Sequence, residues 1–587
     1  NKQKGNKIMY LEHINSPADV KKLSQKERLQ LAQEIRKVLL EKLSNHGGHF
    51  GPNFGFVEAT IALHYVFDSP KDKFVFDVSH QSYCHKMLTG RKEAFLHPEK
   101  YDDVSGYSCP AESAHDFFEI GHTSTSISLA CGLAKARDLN GGNENIIAIV
   151  GDGSLSGGEA LEGLDFGGEF NGNLIIVVND NDMSIAENHG GLYQNLKALR
   201  ESNGQCECNL FKAMGYNYIF IKEGNDIDSL ITAFKSVKNS KSPVVLHIVT
   251  QKGKGYLPAE QNKENWHWCM PFDIATGKSK FNFEDETYES LTCDFLMKKM
   301  KNDRSIVTIT AGVPTSIGFT DEKRKEAGDQ FIDVGIAEEH AVAMASGIAK
   351  NGGKPVFATH SSFIQRTFDQ MSQDLCINNN SATLLINTAS IFGMNDVTHL
   401  GIFDIPLISN IPNMVYLAPT NKQEYLAMLN WSIEQSKHPV AIRIPCNGVI
   451  SASEPIDTDY SQLNQYKISK HGEKTAVLAL GDFYQLGEQV AEKLGATLIN
   501  PRYITGLDTK LLESLKQKHD VVITLEDGIL DGGFGEKIAR FYGNSDMKVL
   551  CYGFKKEFID RYDISNILKE NRLTVECIEN DIMKIRV

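Results

Sequence analysis

Two short apolar runs do most to limit how this chain can fold. "IIAIV" (146–150) and "LIIVV" (174–178) are β-branched and uninterrupted, the pattern of strands covered on both faces. Between them "GGEALEGLDFGGEF" (157–170) has the spacing of a helix. A strand, a helix and a second strand make a βαβ unit, whose right-handed crossover leaves both strand ends on one edge of a parallel sheet. Neighbouring strands lie ~4.8 Å apart. The first run ends in "GDGS" (151–154) and the second in "NDNDMS" (179–184), so Asp152 and Asn181 can face one small ion. A carboxylate and an amide are hard oxygen ligands that suit Mg²⁺ better than zinc. Mg²⁺ held by so few protein oxygens completes its shell with phosphate oxygens. Gly151 and Gly153 would let backbone approach such an anion, and the helix that follows presents its N-terminus.

The rest of the chain repeats this alternation. Apolar runs and helical patterns recur up to about residue 270, again from "SIVTITAG" (305–312) to "VAIRIPCN" (440–447), and again from "TAVLALG" (475–481) through "DVVITLEDG" (520–528). Residues 252–280 read as a long irregular connection and "SASEPIDTDYSQLNQ" (451–465) as a linker. The expected class is α/β: three domains, each a mostly parallel sheet flanked by helices, over 9–280, 300–450 and 468–587. A length of 587 residues is too great for one core. The net charge of −14 and the lack of a basic stripe argue against a nucleic-acid partner. No run approaches the ~18 apolar residues of a membrane helix. The opening "NKQKGNKI" lacks the apolar centre of a signal peptide. Eleven cysteines without CxxC spacing suit a reduced, cytoplasmic setting.

Several longer stretches carry a resemblance. "DVSHQSYCHKMLTGR" (77–91), "GHTSTSIS" (121–128), "NDNDMSIAEN" (179–188), "DVGIAEEHAV" (333–342), "PRYITGLD" (501–508) and "TLEDGILDGGFG" (524–535) resemble the 1-deoxy-D-xylulose-5-phosphate synthases, relatives of transketolase. Gly-Asp-Gly followed some thirty residues later by Asn is the thiamine-diphosphate motif of that group. The resemblance implies a homodimer that uses thiamine diphosphate and Mg²⁺, takes a 2-oxo acid donor (pyruvate) and an aldehyde acceptor, and serves isoprenoid biosynthesis. It implies metal ligation by Asp152, Asn181 and the backbone of Met183. Cofactor contacts are implied for His80, His122, Ser124, Gly151, Gly153, Ser154, Asn181, Ile185 and Phe363, and for a diphosphate lysine matched by Lys278 or Lys280.

The catalytic group implied is Glu338, which would press on the pyrimidine ring, with His49, His80 and His399 as proton-transfer residues. Taken singly, Glu338 reads as a first-turn acid favoured by the helix dipole, and Glu339 is an adjacent rival. Phe363 taken singly reads as core. The glycines around His49 suggest backbone crowded against a ligand. Five positions depart from the pattern. Thr388 and Cys446 stand where the resemblance expects two arginines for the acceptor's phosphate. Asn395 replaces an aspartate, Glu99 aligns near its partner arginine, and His360 replaces a tyrosine. Lys100, Arg443 and Arg502 are the cations that could substitute. Transfer to D-glyceraldehyde 3-phosphate therefore competes with the same chemistry on an unphosphorylated aldehyde. A non-catalytic thiamine-diphosphate binder is the third reading.

Overall fold

A computed structural model describes residues 9–281 and 286–586; the polar opening segment, residues 1–8, lies outside the described residues. The chain divides into two compact units, Asn1–Glu284 with Gly335–Ala337, and Asp285–Val334 with Glu338–Val587.

The first unit contains β1 (Gly48–His49), β2 (Lys73–Phe76), β3 (Ile146–Gly151), β4 (Leu174–Asp180), β5 (Asn217–Ile221), β6 (Pro243–Val249) and β7 (Trp268–Cys269). Strands β2-β3-β4-β6-β5 form an all-parallel sheet in that order. Side chains of β3 alternate between two cores, as a period of two demands. Ile147 and Ile149 pack with Leu31, Ile35 and Ile61, while Ile146, Ala148 and Val150 pack with Ile127, Ala130 and Ala134. Both faces are covered, which explains why these strands read as unbroken apolar runs. The βαβ unit forms as expected, with helix Gly158–Gly168 between β3 and β4. Gly151 pairs with Asn179, so the two strands end level and deliver Asp152 and Asn181 to the same edge.

The connection over 252–280 is more ordered than its sequence suggests. It contains the helix Leu257–Gln261 and strand β7, which runs antiparallel to β1 with Gly48 opposite Cys269 and His49 opposite Trp268. Two-residue strands have no periodicity to read; long-range pairing alone creates them.

The second unit holds two sheets. The first comprises β8 (Ile306–Thr310), β9 (Phe331–Asp333), β10 (Lys354–His360), β11 (Thr383–Asn387), β12 (Val415–Leu417) and β13 (Val440–Arg443), all parallel in the order β12-β13-β11-β10-β8-β9. The second comprises β14 (Lys467–Lys470), β15 (Lys474–Ala479), β16 (Thr497–Asn500), β17 (His519–Ile529) and β18 (Lys548–Phe554), in the order β14-β16-β15-β17-β18. Only β14 is antiparallel to its neighbour. No helix or strand interrupts 451–465 between the two sheets. Among the described residues no helix is long and apolar enough to cross a membrane, and all eleven cysteines are free.

Candidate active site

The carboxyl edge of the first sheet collects the polar residues, as the crevice rule for open α/β sheets leads one to expect. Asp152 follows β3 and is 1% exposed. Its Oδ2 accepts from the Met183 N–H at 3.1 Å and from Asn188 Nδ2 at 2.7 Å. Burial, reinforced by the nearby Asp180, pushes its carboxyl up to about 7. Asn181 Oδ1 and Ser184 Oγ are buried on the following loop without a hydrogen-bond partner among the described residues. A buried carboxylate beside an unsatisfied amide oxygen is costly unless a cation meets both. The donor set therefore fits Mg²⁺. Of the flanking glycines, Gly153 is required by the chain's own packing, because a Cβ there would lie 2.8 Å from Ser184 Oγ. Gly151 has open space.

Ser124 and Ser154 are joined on the same edge. Ser124 adopts φ +75°, its N–H donates to Asp77 Oδ1 at 2.8 Å, and its Oγ donates to the Ser154 carbonyl at 2.8 Å. Gly157 leaves room for that serine, since a Cβ would stand 2.1 Å from Ser124 Oγ. His122 and Ile185 are half-buried nearby in sequence.

The lysine expectation needs correction. Lys278 is exposed on the turn that Asp273 closes through its N–H to the Lys278 carbonyl, and Lys280 is exposed and donates to Asn45 Oδ1. Lys252, just past β6, is 2% exposed, and its Nζ donates to the Ser184 carbonyl at 2.5 Å. Burial lowers its ammonium to about 7, against the pull of Asp152. A buried cation beside the loop of Asn181 and Ser184 is the better diphosphate partner. Its signal was the "KGKG" (252–255) at the end of a strand.

Three histidines meet on this unit, one more than expected. The rings of His49 and His80 are 5.1 Å apart between centroids, His49 and His267 5.7 Å, and His80 and His267 5.2 Å. The β1–β7 pairing brings His267 in, so no local pattern announced it. Burial holds His267 well below the ordinary imidazole range, with Lys252 and the other two histidines adding to the effect. Asn53 Nδ2 donates to the carbonyls of both His49 (2.8 Å) and His80 (2.7 Å). The turn before His80 places Val78 at φ +56° and Ser79 at φ +66°, a strained conformation for a β-branched residue. The glycines before His49 are crowded by protein: a Cβ on Gly47 would lie 2.7 Å from the Cys269 carbonyl.

In the second unit Glu338 opens the helix Glu338–Lys350 and is 2% exposed. Its Oε2 has no hydrogen-bond partner, and Arg366 Nη1 stands 3.9 Å away. Burial pushes the carboxyl up to about 7 despite Arg366. Glu339 is only half-buried, so burial separates the two acids. Phe363 lies edge-on between His360 (5.0 Å) and His399 (5.4 Å). His399 Nδ1 meets Asp396 Oδ1 at 3.1 Å.

Four profile matches span most of the chain. They are 1-deoxy-D-xylulose-5-phosphate synthase over residues 11–208, the thiamine diphosphate binding domain of transketolase over 128–305, its pyrimidine binding domain over 287–448 and its C-terminal domain over 464–578. A 1-deoxy-D-xylulose-5-phosphate synthase from Halalkalibacterium halodurans is 36% identical, covering 98% of this chain and 99% of that protein. One from Clostridium beijerinckii is 38% identical at the same coverage. The chain belongs to the 1-deoxy-D-xylulose-5-phosphate synthase family. As a member it is a thiamine-diphosphate-dependent transferase. A solved transketolase from Campylobacter jejuni aligns over 94% of this chain and 98% of its own, at 16% identity and a TM-score of 0.44.

The positions that depart from the family pattern have occupied surroundings. Thr388 sits at φ +54° with its Oγ1 on His360 Nδ1. Cys446 donates its backbone N–H to Asp482 Oδ2 at 2.9 Å, and burial pushes its thiol up to about 12. Arg443 is 4% exposed and saturated by acids: Nε donates to Asp404 Oδ2 at 2.7 Å and Nη1 pairs with Asp527 Oδ2 at 2.5 Å. Arg502 pairs with Asp457 at 2.6 Å and donates to the Gln465 carbonyl. Two of the three cations that could have replaced the arginines are thus engaged within the protein.

Proposed function

We propose that this enzyme decarboxylates pyruvate and transfers the two-carbon acyl unit to an aldehyde, with thiamine diphosphate and Mg²⁺ bound. The observation that supports the metal is the buried Asp152 carboxylate beside the unpartnered Asn181 Oδ1. Asp152, Asn181 and the Met183 backbone would hold Mg²⁺; Lys252, Ser124 and Ser154 would hold the diphosphate. Bound thiamine diphosphate supplies the electron sink for carbanion chemistry. Glu338 would hold a proton on a pyrimidine nitrogen. A carboxyl pushed up to about 7 exists in both protonation states near neutral pH, as a group that gives and takes a proton must. Phe363 would stack on the pyrimidine. His49, His80, His267 and His399 would orient the donor and acceptor and shuttle protons. The three-domain division at 9–280, 300–450 and 468–587, the homodimer and the cytoplasmic setting belong to the same proposal. The direct test is release of CO₂ from pyruvate, dependent on thiamine diphosphate and Mg²⁺.

A second reading concerns the acceptor. Arg443 spends its guanidinium on Asp404 and Asp527, and Thr388 and Cys446 bring no charge. This supports an unphosphorylated hydroxyaldehyde as acceptor over D-glyceraldehyde 3-phosphate. A panel of free and phosphorylated aldehydes, compared by kcat/KM, decides between them.

A further inference from the structure

Beneath the loop that carries Asn181 runs a chain of buried polar groups that the chemistry above does not use. Tyr218 Oη and His247 Nδ1 are 2.8 Å apart, and His247 Nε2 meets Asp180 Oδ2 at 2.8 Å. The Asp180 side chain is fully buried. Arg200, on the helix Gly191–Glu201, closes the chain. Its Nη1 donates to both oxygens of Asp180, at 2.9 and 2.7 Å, and its Nη2 donates to Asp182 Oδ1 at 2.6 Å. One guanidinium thus grips the residues on either side of Asn181.

The grip fixes a particular turn. Asp182 adopts φ +57°, and its N–H returns to Asp180 Oδ1 at 3.0 Å. That reversal sends the next N–H, of Met183, to Asp152 Oδ2 and leaves Asn181 Oδ1 without a protein partner. An arginine fork matches this two-carboxylate task, whereas a lysine could serve only one carboxylate at a time. We propose that Arg200 is a positioning residue for the metal loop: by holding Asp180 and Asp182 together it sets the turn that directs Asn181 Oδ1 and the Met183 backbone toward Asp152. The inference rests on the reading of Asp152 and Asn181 as metal ligands. It also gives the helix Gly191–Glu201 a role in cofactor binding, though its side chains need not touch the cofactor.

The test is Mn²⁺ affinity, read by electron paramagnetic resonance in the presence of thiamine diphosphate, for wild type, Arg200→Lys, Arg200→Ala, Asp182→Asn and Asp152→Ala. Outer partners of metal ligands typically change affinity by about 10–100-fold. Arg200→Lys keeps the charge and loses the fork, so a loss of about tenfold or more, with an unfolding midpoint close to wild type, is expected. Asp182→Asn keeps the tolerance for a left-handed turn on a side chain that is 61% exposed. It should still lose about threefold, a part of the same effect, even if the Arg200 variants fold poorly. Wild-type or tighter Mn²⁺ binding in Arg200→Lys and Asp182→Asn, with binding abolished in Asp152→Ala, overturns the positioning role alone. Normal binding in Asp152→Ala overturns the metal-site reading and this proposal with it.

Discussion

Glu338 offers the most quantitative check, because its burial ties catalysis to stability. Its carboxyl stands near 7 against an ordinary 4.5, a displacement worth about 3 kcal/mol at 1.36 kcal/mol per pH unit. The folded state therefore binds an extra proton between pH 4.5 and 7. The stability from the neutral carboxyl is fully present below 4.5 and is lost as pH rises through 7. Glu338→Gln is neutral at every pH and cannot lose it. Urea unfolding of cofactor-free wild type and Glu338→Gln from pH 4 to 8 measures the difference, in which the titrations of all other groups cancel. Removing the charge opposite Arg366 adds an offset, but that offset does not vary with pH in this range. The wild type should lose about 3 kcal/mol relative to the variant between the two ends. The same substitution should cut turnover about 10²-fold or more, since it removes the group that exchanges a proton with the ring. Parallel stability curves would refute the burial argument. Normal turnover in Glu338→Gln, with loss in Glu339→Gln, would shift the catalytic role by one residue.

Asp152→Ala should abolish Mg²⁺-supported binding of thiamine diphosphate, measured by calorimetric titration; unchanged affinity would remove Asp152 from the metal site. Lys252→Met should weaken thiamine diphosphate binding about tenfold or more, on the scale of a charge-assisted hydrogen bond, whereas Lys278→Met should leave it unchanged. If the acceptor site lacks two arginine anchors worth ~1.5–3 kcal/mol each, the preference for a phosphorylated aldehyde should be weaker by a factor of about 10²–10⁴. Thr388→Arg combined with Cys446→Arg should raise that preference in kcat/KM, and a thousandfold preference in the wild type would exclude the unphosphorylated acceptor.

The sequence by itself determined the parts of this protein that depend on local order. Unbroken β-branched runs at 146–150 and 174–178, with a helical pattern between them, permit little except adjacent parallel strands. Adjacency alone brings Asp152 and Asn181 to one edge. The longer motifs then pointed to the family and to Glu338. Tertiary structure decided what depends on residues distant in the chain. His267 joins His49 and His80 through a two-residue strand that no periodicity could reveal. Lys252 was separated from Lys278 by burial, which is a property of everything packed around each ammonium. Arg443 looked available in sequence and is consumed by Asp404 and Asp527, neither of them a neighbour along the chain. Arg200 carried no motif at all. Its part is visible only once helix Gly191–Glu201 lies against the end of β4, because a guanidinium's role is set by the carboxylates that the fold brings within its reach.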